Sequence, residues 1–167
     1  MRVVRSLFAS VVILGALAWA QDIEAVNAKM AFALLKEPST FLVDVRSVAE
    51  YVLVGHPETA CNIPFAFWEE KQQKFVLNEN FIQDLKSRFK PEDKLIFLCK
   101  GGGRSLKAAQ AASAAGFLKV ANLSEGFDGR PDDRGYFTQE GWRNSGLPYT
   151  YKLDEKLVYR PAPGKLP

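Results

Sequence analysis

The stretch LIFLCKGGGRS at residues 95–105 joins four apolar residues to a cysteine and three consecutive glycines. A short, unbroken apolar run such as 95–98 is typical of a parallel strand that is buried on both faces. The alanine-rich segment 105–115 that follows favours a helix, which Gly116 ends. The stretch therefore predicts a strand, a glycine loop and a helix in direct succession.

Strands and helices alternate on both sides of this unit. The remaining predicted strands are at 41–45, 61–63 and 119–123, and the remaining predicted helices are at 27–36 and 78–89. This alternation predicts an α/β fold with a parallel β-sheet flanked by α-helices on both faces. In such sheets, ligands bind at the carboxyl ends of the strands, which is where the glycine loop is expected.

The first 20 residues carry the three-part pattern of a secretory signal. Two early arginines precede an apolar segment at 7–17, and Ala18-Trp19-Ala20 places small residues where signal peptidase reads. The apolar segment is shorter than the about 18 residues that span a bilayer. We therefore expect a cleaved signal peptide at 1–20, an exported (periplasmic or secreted) domain at 21–150 and an extended, proline-containing tail at 151–167. No stable membrane span is expected after cleavage.

The composition excludes several classes of protein. The 167 residues are 47% hydrophobic and 25% charged, which excludes a disordered, collagen-like or polytopic membrane protein. Without the first 20 residues, which include two arginines, the formal charge falls from +3 to +1. No basic cluster remains, so nucleic acid is not an expected partner. Two cysteines cannot form a disulfide framework, and one histidine cannot supply most zinc sites, so we expect no metal and no cofactor.

The glycine loop has the residue types that activate a cysteine nucleophile. Cysteine reacts as the thiolate, and backbone N–H groups at a helix start stabilise that anion. Consecutive glycines can adopt positive φ, which lets successive N–H groups point into one concavity. Two basic residues add charge for an anionic substrate, and the serine can cap the helix or donate a hydrogen bond. The expected site consists of the nucleophile Cys99 and the substrate-binding residues Lys100, Gly101, Gly102, Gly103, Arg104 and Ser105.

Three segments, in order, resemble the rhodanese family of sulfurtransferases. The loop CKGGGRS at 99–105 looks like the active-site loop of that family. A second resemblance, to the family's amino-terminal signature, rests on LVDVR at 42–46, Glu50-Tyr51, Gly55-His56 and Asn62-Ile63-Pro64. A third resemblance, to the family's closing segments, rests on LSEGF at 123–127, Gly141-Trp142 and Gly146-Leu147-Pro148. The resemblance covers roughly residues 22–150 and implies a single rhodanese-like domain.

The resemblance also implies an activity. Cys99 would take a sulfane sulfur from thiosulfate or a similar small anionic donor and hold it as a persulfide, which cyanide or a thiol then removes. The alternative is a persulfide carrier or binding partner in a sulfur-oxidation or thiol-redox chain, with a protein as acceptor. Four residues separate Cys99 from Arg104, one fewer than in the related cysteine phosphatases, which disfavours phosphoryl transfer.

Residues near the motifs receive supporting roles. We expect Asp44 and Arg46 to hold the loop by hydrogen bonds, and Arg46 to form an i,i+4 pair with Glu50. Glu50 stands where the two-domain enzymes have an arginine, which implies a missing substrate-binding charge. His56 is expected to be structural, and Cys61 to be a buried free thiol on a strand that does not neighbour that of Cys99.

Two further features keep two interpretations each. Phe65, Phe67 and Trp68 either line the mouth of the pocket or pack in the core. The segment 130–140 resembles an insertion seen in some members of the rhodanese family, and it is either a lid or a surface for a partner. Its acidic residues lack the spacing of a calcium loop, which favours a solvated turn.

Overall fold

A five-stranded parallel sheet forms the centre of the protein, in a computed structural model that describes residues 22–160. The predicted signal peptide at 1–20 and the end of the predicted tail at 161–167 lie outside the described residues. Within the described part of the chain, no helix has the length and apolar character needed to cross a membrane. The elements are β1 (Glu24–Val26), α1 (Ala28–Leu34), β2 (Thr40–Asp44), α2 (Val48–Val54), β3 (His56–Pro57), β4 (Cys61–Asn62), β5 (Ala66–Glu69), β6 (Lys74–Leu77), α3 (Phe81–Arg88), β7 (Lys94–Leu98), α4 (Gly103–Ala114), β8 (Lys119–Leu123), β9 (Arg130–Pro131), β10 (Phe137–Gln139), α5 (Gly141–Asn144) and β11 (Tyr149–Thr150).

The strand order in the sheet is β1-β8-β7-β2-β4, and every neighbouring pair is parallel. The apolar strand β7 lies in the middle, as its composition predicts, and all four residues at 95–98 are fully buried. Burial of each such side chain contributes about 2 kcal/mol relative to exposure. The predicted α/β fold is confirmed.

Helices cover both faces of the sheet because alternate residues of β7 point to opposite sides. Leu95 and Phe97 belong to the apolar cluster that includes residues of α3 and α4. Ile96 and Leu98 belong to a second cluster that includes residues of α1, α2 and α5. The predicted helices 27–36, 78–89 and 105–115 and the predicted strands 41–45, 61–63 and 119–123 all correspond to observed elements, with small shifts at their ends.

Helix α2 carries Glu50 in its first turn. Ser47 caps the helix: its side chain accepts a hydrogen bond from the Glu50 N–H, and the Glu50 carboxylate accepts one from the Ser47 N–H. This reciprocal capping box fixes the Glu50 side chain at the first turn. The first turn of α2 therefore presents a carboxylate in a defined position.

Among the elements that the sequence did not predict are one edge strand and a separate hairpin. Strand β1 pairs with β8 at one edge, and the antiparallel hairpin β5–β6 stands apart from the main sheet. The first part of the predicted tail packs on the domain at the other edge, where the Asn62 N–H donates to the Leu157 carbonyl at 2.8 Å. Tyr159 is buried there, with 7% of its surface exposed.

Candidate active site

The predicted nucleophile lies at the carboxyl end of the central strand. Cys99 directly follows β7, and α4 begins four residues later at Gly103. Gly102 is the N-cap of α4 and has φ of 92°, in the left-handed region. The chain therefore turns sharply after Cys99 and brings the start of α4 back over the sulfur atom.

Two donors face the sulfur atom of Cys99. The Gly102 N–H donates to Sγ at 3.2 Å, and the Ser105 hydroxyl lies 3.3 Å from Sγ. The same hydroxyl lies 3.0 Å from the Gly102 carbonyl oxygen, so its single proton can be shared between the two acceptors. The first turn of α4 also leaves N–H groups without partners in the helix, and such groups favour a negative charge. The arrangement suits a sulfur anion or a small bound anion.

Of the three loop glycines, only Gly102 is required by the backbone conformation. A Cβ atom at Gly102 would overlap the Ser124 carbonyl oxygen, whereas one at Gly103 would have no heavy atom within 4 Å. A Cβ at Gly101 would make an ordinary contact of 3.5 Å with the Gly129 carbonyl oxygen. The expectation of positive φ is thus confirmed for Gly102 and wrong for Gly101 and Gly103. The helix adopts ordinary backbone angles from Gly103 onwards, so one left-handed residue suffices for the turn.

The segment after β8 holds the loop from the other side. The Phe127 N–H donates to the Cys99 carbonyl at 2.7 Å, and the Asp128 N–H donates to the Lys100 carbonyl at 3.0 Å. Gly126 approaches so closely that a Cβ there would overlap the Lys100 carbonyl. The closing motif at 123–127 therefore acts as a backbone clamp on the nucleophile loop.

Arg104 forms an ion pair with Glu50. Its two terminal nitrogens donate to the two carboxylate oxygens at 2.7 and 2.6 Å. The guanidinium carbon also lies 4.9 Å from the centre of the Phe75 ring on β6. Burial pushes the pKa of Glu50 upward, but hydrogen bonds from Arg104 and Ser47 outweigh it and lower the pKa to about 2. Arg104 is thus a neutralised cation in a fixed orientation.

The predicted pair between Arg46 and Glu50 is wrong. Arg46 instead forms a fully buried ion pair with Asp44, with Nη2 and Oδ2 2.6 Å apart. Arg46 also donates to the Gly55 carbonyl at 2.8 Å and lies over the Phe127 ring at 4.4 Å. A neighbour two residues away prevails because both charges are buried and need a bidentate partner. Asp44 and Arg46 support the loop through Phe127 rather than by hydrogen bonds to its residues.

Lys100 lies at the exposed rim of the site. Its Nζ atom is 4.0 Å from the centre of the Phe137 ring, which belongs to β10 of the 130–140 insertion. No carboxylate of residues 22–160 lies within 4.0 Å of this amine. The insertion thus forms a hairpin beside the mouth, and one of its aromatic rings holds the lysine by a cation–π contact.

The remaining predicted residues lie away from the sulfur or serve the core. His56 is buried and stacks on Tyr51 with ring centres 3.7 Å apart, and burial lowers its pKa. Both cysteines are free, as predicted, and Cys61 contacts Arg88 with Nη1 and Sγ 3.0 Å apart. His56 is therefore placed as a structural residue.

The aromatic residues after the Asn-Ile-Pro motif divide between the core and the surface. Phe65 packs edge-on against Phe81, and Trp68 lies on the β5–β6 hairpin with 52% of its surface exposed. The hairpin residue that contacts the loop is Phe75, which the sequence did not indicate. Phe75 and Phe137 were missed because each is far in sequence from the loop, and a single aromatic residue gives no local signal of such a contact.

Fold and site together define a class of protein: an α/β domain with a cysteine thiol among N–H and O–H donors at the carboxyl edge of a parallel sheet. The sequence matches the family described as rhodanese-like domain over residues 27–129, and the chain belongs to this family. The resemblance stated from the motifs is confirmed.

Relatives with similar sequences include a protein named for sulfur transfer and one named for its rhodanese-like domain. The chain is 32% identical over 108 residues to thiosulfate sulfurtransferase 18 of Arabidopsis thaliana, which covers 65% of this chain and 78% of that protein. It is also 36% identical over 104 residues to rhodanese-like domain-containing protein 17 of the same plant, covering 61% and 64% of the two chains. These similarities support sulfur transfer as the general activity.

Solved structures show the same fold. The crystal structure of Rv0390 from M. tuberculosis is 32% identical, with a TM-score of 0.68 over 77% of this chain and 98% of that one. The polysulfide-sulfur transferase homodimer of Wolinella succinogenes is 23% identical, with a TM-score of 0.53 over 78% and 80% of the chains. The second similarity concerns the fold alone.

Proposed function

We propose that this protein is a sulfurtransferase in which Cys99 accepts a sulfane sulfur from thiosulfate or a similar donor and passes it to cyanide or a thiol. The observation that carries the proposal is the Cys99 sulfur itself, which faces the Gly102 N–H and the Ser105 hydroxyl at 3.2 and 3.3 Å. Membership of the rhodanese-like family supports sulfur as the transferred atom.

The reaction has two displacement steps. The Cys99 thiolate attacks the outer sulfur of thiosulfate, a new S–S bond forms, and sulfite leaves with the electron pair of the bond that breaks. Cyanide then attacks the outer sulfur of the persulfide and leaves as thiocyanate, which returns the electron pair to the Cys99 thiolate. The donors around Sγ stabilise the negative sulfur in both the thiolate and the persulfide state.

A second candidate function is a persulfide carrier that exchanges sulfur with a protein partner. It is favoured by the pairing of Arg104 with Glu50 at 2.6 Å, which leaves Lys100 as the cation at the rim that lacks an ion-pair partner among residues 22–160. A free dianion such as thiosulfate meets little net positive charge at such a rim. Both candidate functions use the same persulfide.

Incubation of the protein with thiosulfate and cyanide separates the two candidates. An enzyme forms thiocyanate continuously, with ping-pong kinetics. A carrier gains the mass of one sulfur atom with thiosulfate but forms no more thiocyanate than one equivalent. Absence of both thiocyanate and added mass with every sulfane donor would contradict sulfur transfer in either form.

We further propose that the protein is exported and acts outside the cytoplasm. The arginines, the apolar segment at 7–17 and the small residues at 18–20 support this location. N-terminal sequencing of the protein from the exported fraction is expected to begin at Gln21. A chain that still begins at Met1 would contradict the proposal.

A further inference from the structure

Three arginines near the loop at 99–105 form ion pairs with carboxylates. Arg46 pairs with Asp44 at 2.6 Å, and Arg104 pairs with Glu50 at the same distance. Arg143 pairs with Asp128, which follows the backbone clamp, at 3.0 Å. Lys100, at the exposed rim, has no carboxylate of residues 22–160 within 4.0 Å of its amine. Of the two basic side chains in the loop at 99–105, only Lys100 therefore offers an unpaired charge to a donor that approaches Cys99.

Arg104 would be the second cation if it were free. It lies in the first turn of α4, five residues after Cys99. Glu50 binds it end-on through both oxygens, and Ser47 holds Glu50 through its N–H and its hydroxyl at 3.0 and 2.9 Å. The carboxylate is thus fixed by its own helix and cannot rotate away from Arg104 without losing the cap.

We infer that Glu50, by neutralising Arg104, makes the Cys99 site select sulfane donors with one negative charge over donors with two. The inference rests on the proposed sulfur transfer and specifies its substrate class. Thiosulfonates (R–SO2–S⁻) and small persulfides have the favoured charge, whereas thiosulfate is the disfavoured dianion. Glu50 acts through Arg104 and is a positioning and specificity residue, not a catalytic one.

Methanethiosulfonate and thiosulfate form a matched pair of donors for the test. Both carry the sulfane sulfur on a sulfonyl group, and they release methanesulfinate and sulfite, respectively, so they differ chiefly by one charge. In the step with methanethiosulfonate, the Cys99 thiolate takes the outer sulfur and the methanesulfinate anion leaves with the electron pair. Because the two donors differ in intrinsic reactivity, the readout is the change in the ratio of their kcat/KM values between variants.

Glu50→Gln removes the charge and keeps a side chain that can serve the capping box. We expect the ratio of kcat/KM for thiosulfate to that for methanethiosulfonate to rise about tenfold. The gain should shrink as salt is added, because the pair is partly exposed to solvent. The control is Glu92→Gln, which removes one carboxylate from the exposed turn before β7 and should leave the ratio unchanged.

Arg104→Gln is expected to change the ratio of kcat/KM values in the opposite direction. It also tests the inference if Glu50→Gln does not fold. It leaves the Glu50 carboxylate unpaired, so the same ratio should fall several-fold. A mere loss of structure lowers transfer from both donors alike and does not move the ratio. An unchanged ratio in an active Glu50→Gln protein, or a ratio that does not fall in Arg104→Gln, would overturn this inference alone. Failure of the wild-type protein to accept sulfur from either donor would instead overturn the proposed function, and this inference with it.

Discussion

The two cysteines of this protein are both buried and both free, yet only one has the surroundings of a nucleophile. Cys61 begins the edge strand β4, and burial raises the pKa of its thiol, although the neighbouring Arg88 acts in the other direction. Cys99 follows the last residue of the central strand and faces a backbone N–H and a hydroxyl. A nearby cation is therefore not enough to give a cysteine the surroundings of a nucleophile. The position at the carboxyl end of a strand, in front of a helix start, supplies donors that a cysteine at the start of an edge strand lacks.

The largest expected effect comes from replacing each of the two cysteines in turn. Cys99→Ser should lower sulfur transfer by at least about a thousandfold, because the persulfide forms on the Cys99 sulfur. Cys61→Ser should keep transfer within about twofold and lower the free energy of unfolding by about 1 kcal/mol, since it places a hydroxyl among core residues. Thiocyanate formation and urea unfolding measure the two effects. Comparable losses of transfer in both variants would contradict the distinction.

The second prediction concerns the turn that places Cys99. Gly102→Ala should lower kcat/KM at least about thirtyfold, because its Cβ would overlap the Ser124 carbonyl and its φ of 92° disfavours side chains. Gly103→Ala is the matched control: it has open space and lies in a helix, so activity should stay within about twofold. Equal effects of the two variants on transfer would contradict the special role of the positive φ and the close packing at Gly102.

The third prediction concerns the Ser105 hydroxyl. Ser105→Ala removes a donor at 3.3 Å from the sulfur and should lower kcat/KM about tenfold, with little change in folding. Arg88→Met removes the corresponding contact of Cys61 and should leave transfer unaltered. The measurement is steady-state kinetics with thiosulfate and cyanide. An active Ser105→Ala protein with wild-type kcat/KM would assign the hydroxyl to the Gly102 carbonyl alone.

The smallest expected effect is on acid stability at the rim of the loop. Folding lowers the pKa of Glu50 from its ordinary 4.5 to about 2, so the ionised carboxylate stabilises the fold above pH 4.5. That stabilisation is lost as the pH falls from 4.5 towards 2. The difference in the free energy of unfolding between wild type and Glu50→Gln should be about 1–2 kcal/mol at pH 6, after allowance for solvent screening, and vanish near pH 2. Urea unfolding at several pH values measures it, and a difference that grows on acidification would contradict the assigned pair.

The parts of the molecule that the sequence predicted are those built from local pattern. The strand, loop and helix of residues 95–115 follow from one apolar run, three glycines and a row of alanines. The Arg104–Glu50 pair joins residues 54 apart, so no local spacing indicates it, and the i,i+4 rule pointed to Arg46 instead. Phe137 meets Lys100 for the same kind of reason, because the fold returns the insertion to the loop. Long-range pairs of this sort depend on packing that a single sequence does not display.

The decisive measurement is which cysteine carries the transferred sulfur. Wild-type protein is treated with thiosulfate, the sulfane sulfur is trapped by alkylation, and the modified peptide is identified by mass spectrometry. We expect one added sulfur on Cys99, unchanged in Cys61→Ser and absent in Cys99→Ser. Sulfur on Cys61, or on neither cysteine, would contradict it.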